Sequence, residues 1–426
     1  MNLLKIRTGG FKNLADSTLE LSDLTSLISL NSYGKSNLLT AINFGIDFIA
    51  ANAGFKEIMM NYRPGMSLNK NNLLQNYFFE FEAQTLLAGI PHMINYRFEF
   101  KWGTKHDESA KIISEELKVK ECKKNQRYNS FIIRNNKAYY KSSKTSRCAT
   151  PVGIEDNELV INKLQAYDQL FFLEIVKQIN SISVYIDHHL DATSSYEPDP
   201  IIRKGLKELD IEGIDNIPRT IFYLKKEHND KYELLKDAYM QLFPNITNIE
   251  VEEIPIEAKG NIPSGDDVPF VFCNNIHALN VTDKSLVGSI EFRVLSDGAK
   301  RVFLMLTYAI IADIKGLSLI AFEEPENSIH PSLLQSFLRI IAQLTSNCKV
   351  VITSHSPYIL QYISPCNIYI GLPNEACLAS FKRISGSKIR ALEKDVDFAD
   401  TSIGDYIFEL MSAGQYEIEQ LKQYLE

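Results

Sequence analysis

Three glutamates follow an apolar stretch in the C-terminal part of the sequence. The stretch LSLIAFEEPENSIHP, residues 317–331, places Glu323 and Glu324 directly after its apolar residues, with Glu326 beyond Pro325. An apolar run of this length is typical of a buried strand, so the two adjacent carboxylates are expected at the end of a strand. Carboxylates in such a place hold a divalent cation or orient a water molecule for attack on a phosphate. The sequence therefore predicts phosphate chemistry here if a phosphate-binding segment exists elsewhere.

Such a segment is found near the N-terminus. Residues 29–36, SLNSYGKS, end in Gly34, Lys35 and Ser36, which match the last three positions of the pattern G-x-x-x-x-G-K-S/T. An apolar strand precedes them and a helical apolar spacing follows from Asn37, which is the context of a phosphate-binding loop. Lys35 is expected to reach the β- and γ-phosphates, Ser36 to ligate magnesium, and backbone N–H groups to contact the anion.

Two further segments carry residues suited to the same chemistry. TSHSP, residues 353–357, places His355 after another apolar run, and on a neighbouring parallel strand this residue would lie near the carboxylates. LSDGAKR, residues 295–301, places Ser296 and Gly298 directly before an apolar helical stretch. A helix N-terminus offers N–H groups and, here, a hydroxyl, so it predicts a second phosphate contact.

In this order the four segments resemble those of the ATP-binding-cassette (ABC) ATPases, in particular the SMC-like and OLD-like branch. The resemblance identifies residues 29–36 as the Walker A loop, 295–301 as the signature motif, 320–324 as the Walker B strand, 326–330 as the D-loop and His355 as the switch histidine. It implies an α/β P-loop ATPase head with mixed β-sheets and flanking helices. It also implies ATP and magnesium as cofactors, and a homodimer or higher homo-oligomer formed through the ATP sites.

The resemblance also implies a role for each residue. Glu324 and His355 would be the catalytic residues, and Ser36 and Glu323 would hold magnesium. The residues implied in nucleotide binding are Asn31, Ser32, Tyr33, Gly34, Lys35, Ser36, Asn37, Ser296, Gly298 and Lys300. Residues 10–14, GFKNL, are similar to the N-terminal strand signature of the same branch. Serine replaces the usual glycine at positions 29 and 32, so the expectation is either slow hydrolysis or a loop that depends on a partner subunit.

The elements that must position these residues follow from the apolar patterns. Strands are expected at 3–8, 24–30, 317–322 and 349–353, and helices from Asn37 onward, at 302–312 and at 331–345. A strand, a helix and a strand between 317 and 353 imply parallel strands. Alternation in 77–84 and in 93–102 predicts an antiparallel hairpin. Residues 158–245 are expected to be mainly helical, with one exposed helix at 225–236.

Three domains are predicted: residues 1–104 as the first part of the ATPase head, 105–245 as an inserted arm, and 246–426 as the second part of the head. The arm combines a basic hairpin with helices, and it is too poor in heptads for a long coiled coil. Residues 111–147, called the basic segment below, hold eleven Lys or Arg and three Glu in a chain whose formal net charge is −8.

The basic segment has three interpretations. The first is a solvated hairpin face, and the alternatives are binding of nucleic acid and docking of an acidic protein. In the nucleic-acid interpretation, aromatic side chains would stack on unpaired bases. The residues available for stacking would be Tyr128, Phe131, Tyr139 and Tyr140.

Composition and cysteine spacing indicate a cytoplasmic protein. The 426 residues include six cysteines without a C-x-x-C pair, which favours reduced thiols. Charges interrupt the N-terminus too early for a signal peptide, and the longest charge-free apolar run, 302–312, is too short to span a bilayer. No membrane partner is expected.

Three functions remain open. Without the acidic cluster of a fused Toprim nuclease after His355, the chain resembles the stand-alone ATPase subunits of bacterial anti-phage defence systems such as Septu and PARIS. Such a subunit would act as sensor or scaffold for a separately encoded effector, a nuclease or a toxin. The alternatives are a RecF-like or SMC-like DNA-repair ATPase and a structural nucleotide-binding subunit with little hydrolysis.

Overall fold

The structure is a computed structural model. It describes residues 1–30, 33–62, 67–73, 75–103, 110–187, 194–205, 209, 216–256, 269–327, 329–345, 348–374, 376 and 378–426. The predicted α/β class with mixed sheets and flanking helices is confirmed. The chain divides into unit 1, which comprises Met1–Ile186, Leu317–Glu324 and Asn347–Glu426, and unit 2, which comprises Asp187–Gly316 and Pro325–Ser346. The domain limits after residues 104 and 245 stay a prediction.

The strands follow one another along the whole chain. They are β1 (Asn2–Gly9), β2 (Ser17–Glu20), β3 (Leu24–Ile28), β4 (Tyr77–Leu87), β5 (Ile90–Lys101), β6 (Lys111–Glu121), β7 (Asn129–Arg134), β8 (Ala138–Lys141), β9 (Cys148–Val152), β10 (Val184–Asp187), β11 (Ile201–Arg203), β12 (Ile246–Pro255), β13 (Phe270–Phe272), β14 (Asn275–Asp283), β15 (Ile290–Glu291), β16 (Leu319–Glu323), β17 (Lys349–Ser354), β18 (Ile368–Pro373) and β19 (Ala379–Arg383).

The α-helices flank these strands. They are α1 (Lys35–Ala50), α2 (Ala53–Met60), α3 (Lys70–Leu73), α4 (Val160–Lys163), α5 (Leu173–Asn180), α6 (Ile217–Glu227), α7 (Asn229–Leu242), α8 (Asp297–Lys315), α9 (Pro331–Leu344), α10 (Pro357–Leu360), α11 (Ile389–Phe398), α12 (Ile403–Ser412) and α13 (Gln415–Lys422).

An eight-stranded sheet in unit 1, in the order β2-β1-β4-β5-β6-β7-β8-β9, supports α1. The predicted antiparallel hairpin is confirmed as β4 and β5, where Phe79 lies opposite Phe98. Phe48 of α1 stacks on Phe98, with the ring centroids 4.9 Å apart and the planes at 15°. Gly45 allows this approach, because a Cβ at its position would lie 2.4 Å from the ring of Phe79. Ring stacking and close packing therefore hold α1 against the sheet.

The six-stranded sheet of unit 1 has the order β10-β16-β17-β3-β18-β19. β16, β17, β3 and β18 run parallel to one another, which confirms the predicted parallel arrangement of the strands at 317–322 and 349–353. β19 pairs with β18 in the antiparallel direction. Glu323 of β16 lies opposite Thr353 of β17, and Ser354 of β17 lies opposite Ile28 of β3. The C-terminal ends of these three strands therefore meet at one edge, called the carboxyl edge below. In parallel α/β sheets, this is the edge where ligands bind.

Unit 2 contains α8, which follows the predicted signature segment. The hydroxyl of Ser296 accepts a hydrogen bond from the N–H of Ala299 at 3.4 Å and so caps the helix. The hydroxyl of Tyr239 donates to the carbonyl of Ala299 at 3.2 Å. The predicted apolar helix at 302–312 is confirmed, and all of these residues are buried. Gly316, with φ of 66°, ends the helix in the left-handed conformation.

Two secondary-structure predictions in the segment 158–245 need correction. The single exposed helix expected at 225–236 is wrong, since α6 ends at Glu227, α7 begins at Asn229, and His228 between them has φ of −139° and ψ of 62°. No glycine or proline marks this break, so the charged pattern concealed it. The segment also contributes the strands β10 and β11, so it is less helical than expected.

The structure also bears on the cysteines and on membrane-spanning helices. In the described ranges, the cysteines at positions 122, 148, 273, 348 and 366 are not joined by disulfide bonds. Among the described helices, none combines the length and apolar character needed to cross a membrane.

Candidate functional site

The first turn of α1 forms one side of the site at the carboxyl edge. Gly34 begins the helix with φ of 96°, a left-handed conformation that favours glycine. A Cβ at Gly34 would also lie 2.6 Å from the Cβ of Ala379. The first turn of α1 contains no acidic residue. Because first-turn N–H groups lack an acceptor within their helix, this helix start is suited to an anion such as a phosphate.

Lys35, His355 and Glu324 form a continuous line of polar contacts. The buried ammonium group of Lys35 donates to the carbonyl oxygen of Ser29 at 2.8 Å and lies 3.1 Å from Nδ1 of His355. Nε2 of His355 lies 2.6 Å from Oε1 of Glu324. An ammonium group can only donate, so Nδ1 is the acceptor and Nε2–H donates to the carboxylate. The structure therefore brings together three residues that the sequence predicted for one site.

Glu324 is held in a backbone conformation that is unfavourable for its residue type. Its φ is 49°, which lies in the left-handed region. The N–H of Glu324 donates to the carbonyl oxygen of Thr353 at 3.0 Å, which ties the end of β16 to β17. Strain of this kind is common where a side chain must be aimed at a substrate.

The strain at Glu324 predicts an unusual order of stability for two variants. Glu324→Gly and Glu324→Ala both remove the carboxylate and its contact with His355, but only alanine keeps the unfavourable φ. We expect Glu324→Gly to be more stable than Glu324→Ala by about 1 kcal/mol. The measurement is urea unfolding of both variants followed by circular dichroism. Equal stabilities, or a more stable alanine variant, would show that the backbone at this position is not strained.

Two residues that sequence analysis did not assign support the phosphate-binding loop. The side-chain amide of Asn37 donates to Oδ1 of Asn13 at 2.6 Å. The N–H of Ala379 donates to the carbonyl oxygen of Asn13 at 2.8 Å, which places Ala379 against Gly34. Asn13 belongs to the GFKNL segment at residues 10–14, whose pattern indicates no role for this residue. Nothing in the local sequence around Ala379 indicates its contact with Gly34.

The other predicted residues of the loop and of β16 lie as follows. Tyr33 is half-buried, and its N–H donates to the carbonyl oxygen of Leu30 at 3.3 Å. Ser36 is exposed in the first turn of α1, and Glu323 ends β16 at the carboxyl edge. Asn31 and Ser32, also predicted to bind nucleotide, lie outside the described residues.

The predicted signature residues belong to unit 2. Ser296 is exposed and Gly298 is half-buried at the start of α8. Lys300 is only 3% exposed, and its ammonium group lies 2.9 Å from Oδ1 of Asp297. Ser296 and Gly298 are therefore accessible at the helix N-terminus, whereas Lys300 is engaged within its own helix.

The basic segment offers less aromatic surface than predicted. Phe131 is 7% exposed, so its availability for stacking on a base is contradicted. It packs against Phe171 and Phe172, with ring centroids 5.3 and 5.0 Å away. The ring of Tyr140 meets that of Tyr167 edge to face at 5.7 Å. These ring contacts come from residues outside the basic segment, so composition alone did not reveal them.

Two comparisons with known protein sequences each match a part of this chain. Residues 258–361 match the family described as "AAA domain, putative AbiEii toxin, Type IV TA system". The matched range includes Glu323, Glu324 and His355. The chain is also 32% identical over 83 residues to Protein ea59 of Escherichia phage lambda, a match that covers 19% of this chain and 16% of that protein. The family match confirms that this chain contains a segment similar to AAA-type ATPase domains.

Three SMC heads are among the solved structures to which this chain is similar. One is an SMC head bound to the C-terminal winged-helix domain of ScpA, with a TM-score of 0.49, 13% identity, and coverage of 92% of this chain and 100% of that chain. Another is the SMC head domain from Thermotoga maritima, with a TM-score of 0.41, 12% identity, and coverage of 90% and 100%. The Pyrococcus furiosus SMC head has a TM-score of 0.41, 11% identity, and coverage of 93% and 99%.

Proposed function

We propose that this chain binds and hydrolyses ATP at the carboxyl edge, and that it does so as an ABC-type ATPase of the SMC-like and OLD-like branch. The observation that carries the proposal is the line of contacts from Lys35 through His355 to Glu324 beside the start of α1. A phosphate-binding lysine and a carboxylate at a strand end are the parts that phosphoryl transfer to water needs. The similarity of residues 258–361 to AAA domains supports the same reaction class.

The start of α1 fits the phosphates of ATP. The helix is 16 residues long, its N-cap is Gly34, and no acidic side chain stands in its first turn. Lys35 supplies the positive charge that the β- and γ-phosphates require. Asn13 positions Asn37 through their hydrogen bond, so the first turn keeps its orientation when the nucleotide binds.

Magnesium fits the donors that flank this helix start. Ser36 offers an exposed hydroxyl and Glu323 a carboxylate at the end of β16, and both are the oxygen ligands that Mg²⁺ prefers. Among the described residues, no group of three or more His, Cys, Asp or Glu could hold a metal ion by itself. When bound, magnesium would neutralise charge on the β- and γ-phosphates.

Glu324 and His355 carry the chemical step in this proposal. The carboxylate of Glu324 orients the attacking water and accepts its proton, and His355 positions the carboxylate through the 2.6 Å contact. In the arrangement described here, Lys35 is engaged with Ser29 and His355. ATP must draw Lys35 toward the phosphates, which frees Nδ1 of His355.

The proposed active form is a dimer with ATP between two copies. Ser296 and Gly298 stand at an accessible helix N-terminus, which suits a contact with the γ-phosphate held by another chain. The interface would be two-fold and would enclose two nucleotides.

Action in trans predicts recovery of activity in a mixture of two inactive variants. Lys35→Ala removes the phosphate-binding charge, and Ser296→Arg blocks the signature contact. When the two chains are mixed, each mixed dimer keeps one composite site with both residues intact, so up to roughly a quarter of the parent rate should return. The measurement is phosphate release, with each variant alone as control. If mixed dimers form but release no more phosphate than either variant, the signature residues do not act in trans.

The biological role that we propose is that of a sensor or scaffold for a separately encoded effector, a nuclease or toxin, in bacterial anti-phage defence. The toxin–antitoxin wording of the matched family supports such a setting. Purification together with the products of neighbouring genes tests this role, and a stable effector should co-elute. DNA-stimulated hydrolysis by the chain alone would favour a DNA-repair ATPase instead. Tight ATP binding without turnover would favour a structural subunit.

A further inference from the structure

The turn between β4 and β5 exposes aliphatic side chains. Ala88 and Gly89 form the turn with φ of 50° and 75°. Leu86 and Ile90 on either side are 50% and 44% exposed. Turn residues are normally polar, and adjacent exposed aliphatic side chains are typical of a contact surface. These residues, 86–90, are called the β4–β5 tip below.

A cavity of about 250 Å³ lies directly beside the β4–β5 tip. Its apolar lining includes Ile90 of the tip, Val119 of β6, Phe131 of β7 and Phe171. Val119 and Phe131 are almost fully buried, so this part of the lining is held by the core of unit 1. The cavity is therefore large enough for one apolar side chain and has a rigid floor.

Positive charge surrounds the same cavity. Lys120, Lys141 and Lys144 line it, and the acidic residue in the lining, Glu121, pairs with Lys123 at 2.6 Å. The local excess of positive charge contrasts with the formal net charge of −8 of the whole chain. The lysines around the cavity make it complementary to an acidic partner, because they attract negatively charged groups and repel positively charged ones.

The aromatic residues near the cavity do not favour stacking on bases. The ammonium group of Lys120 lies 4.4 Å from the ring centroid of Tyr128, and that of Lys141 lies 5.1 Å from that of Phe131. Each cation therefore lies near a ring against which a base would stack. An aliphatic tip and a small apolar cavity suit a protein side chain better than a nucleobase.

We propose that this cavity is the docking site for an acidic segment of a protein partner. One aliphatic or aromatic side chain of that segment enters the cavity and packs against Ile90. Its neighbouring carboxylates pair with Lys120, Lys141 and Lys144 on the rim. The inference deepens the proposed role as a scaffold for another protein, but it does not require ATP hydrolysis.

The test uses a synthetic peptide that carries a fluorophore. In its sequence, Glu or Asp residues alternate with two apolar residues, Leu and Phe. Its binding to the full chain is measured by fluorescence anisotropy at low salt. The triple variant Lys120→Glu, Lys141→Glu, Lys144→Glu is expected to weaken binding about tenfold or more. Ile90→Ser should weaken it severalfold, and replacing Leu and Phe of the probe by Ser should do the same.

The matched control is the triple variant Lys111→Glu, Lys137→Glu, Arg147→Glu. It makes the same change in charge at exposed positions of the basic segment outside the cavity, and it should alter binding less than twofold. Failure of the parent chain to bind the peptide, or an equal loss in the control variant, would overturn the proposal. The proposal would also be overturned if the triple variant at Lys120, Lys141 and Lys144 lost binding of a thymidine oligonucleotide but kept binding of the peptide. ATP hydrolysis measured in parallel should be unchanged, and its absence in the parent would contradict the ATPase proposal alone.

Discussion

Glu324→Gln is expected to lower the rate of ATP hydrolysis by about 10²- to 10⁴-fold while ATP binding is retained. Glutamine keeps the shape of the side chain, but it cannot accept a proton from water. It can still accept the hydrogen bond from Nε2 of His355, which lies 2.6 Å from Oε1 in the parent. The nucleotide site should therefore stay intact. The measurements are steady-state phosphate release and binding of a fluorescent ATP analogue.

The control for this prediction is Glu393→Gln, the same change at an exposed position of α11. We expect this variant to hydrolyse ATP at the parent rate. If Glu324→Gln hydrolyses ATP as fast as the parent, Glu324 is not the catalytic carboxylate. If it loses ATP binding together with hydrolysis, its main role is to hold the nucleotide or the site.

Lys35→Ala is expected to weaken ATP binding by about 10- to 100-fold, which is the usual effect of losing a hydrogen bond to a charged group. Lys35 is buried in the first turn of α1, where its ammonium group contacts Ser29 and His355. Lys394→Ala, at an exposed position of α11, serves as the matched control and should bind ATP like the parent. Isothermal titration calorimetry measures both affinities. Unchanged affinity of Lys35→Ala would remove the phosphate-binding role from this loop.

Thermal unfolding without nucleotide separates this effect from a folding defect. Lys35 donates to the carbonyl oxygen of Ser29 and contacts His355, so its removal also changes the resting site. Lys35→Ala and Lys394→Ala should have similar melting temperatures without ATP. Excess ATP should then raise the melting temperature of Lys394→Ala but hardly that of Lys35→Ala.

The parts of the site that lie close together in the sequence were predictable from it. Gly34, Lys35 and Ser36 stand between a strand and a helix, and such a local pattern fixes both the loop and the helix start. Glu323 and Glu324 follow an apolar strand, and the strand, helix and strand pattern fixes its parallel neighbour. These inferences depend on periodicity and short connections, which a single sequence contains.

The supports of the loop could not be predicted in this way. Ala379 contacts Gly34 across a very long separation in the sequence, and nothing in its neighbourhood marks that contact. Glu324 combines a positive φ with a hydrogen bond to Thr353 of β17, a residue far from it in the sequence. Likewise, the burial of Phe131 depends on which face of the sheet the helices cover, and charge composition does not determine this. In each case the tertiary contacts decide the outcome.

Calorimetric titration of the purified parent chain with ATP and magnesium tests the central claim most directly. The proposed site predicts saturable binding of one nucleotide per chain, because each chain contributes one phosphate-binding loop. The bound nucleotide should be displaced by ADP. Absence of binding by the folded parent chain, or binding that Lys35→Ala leaves unchanged, would contradict the claim that the carboxyl edge is a nucleotide site.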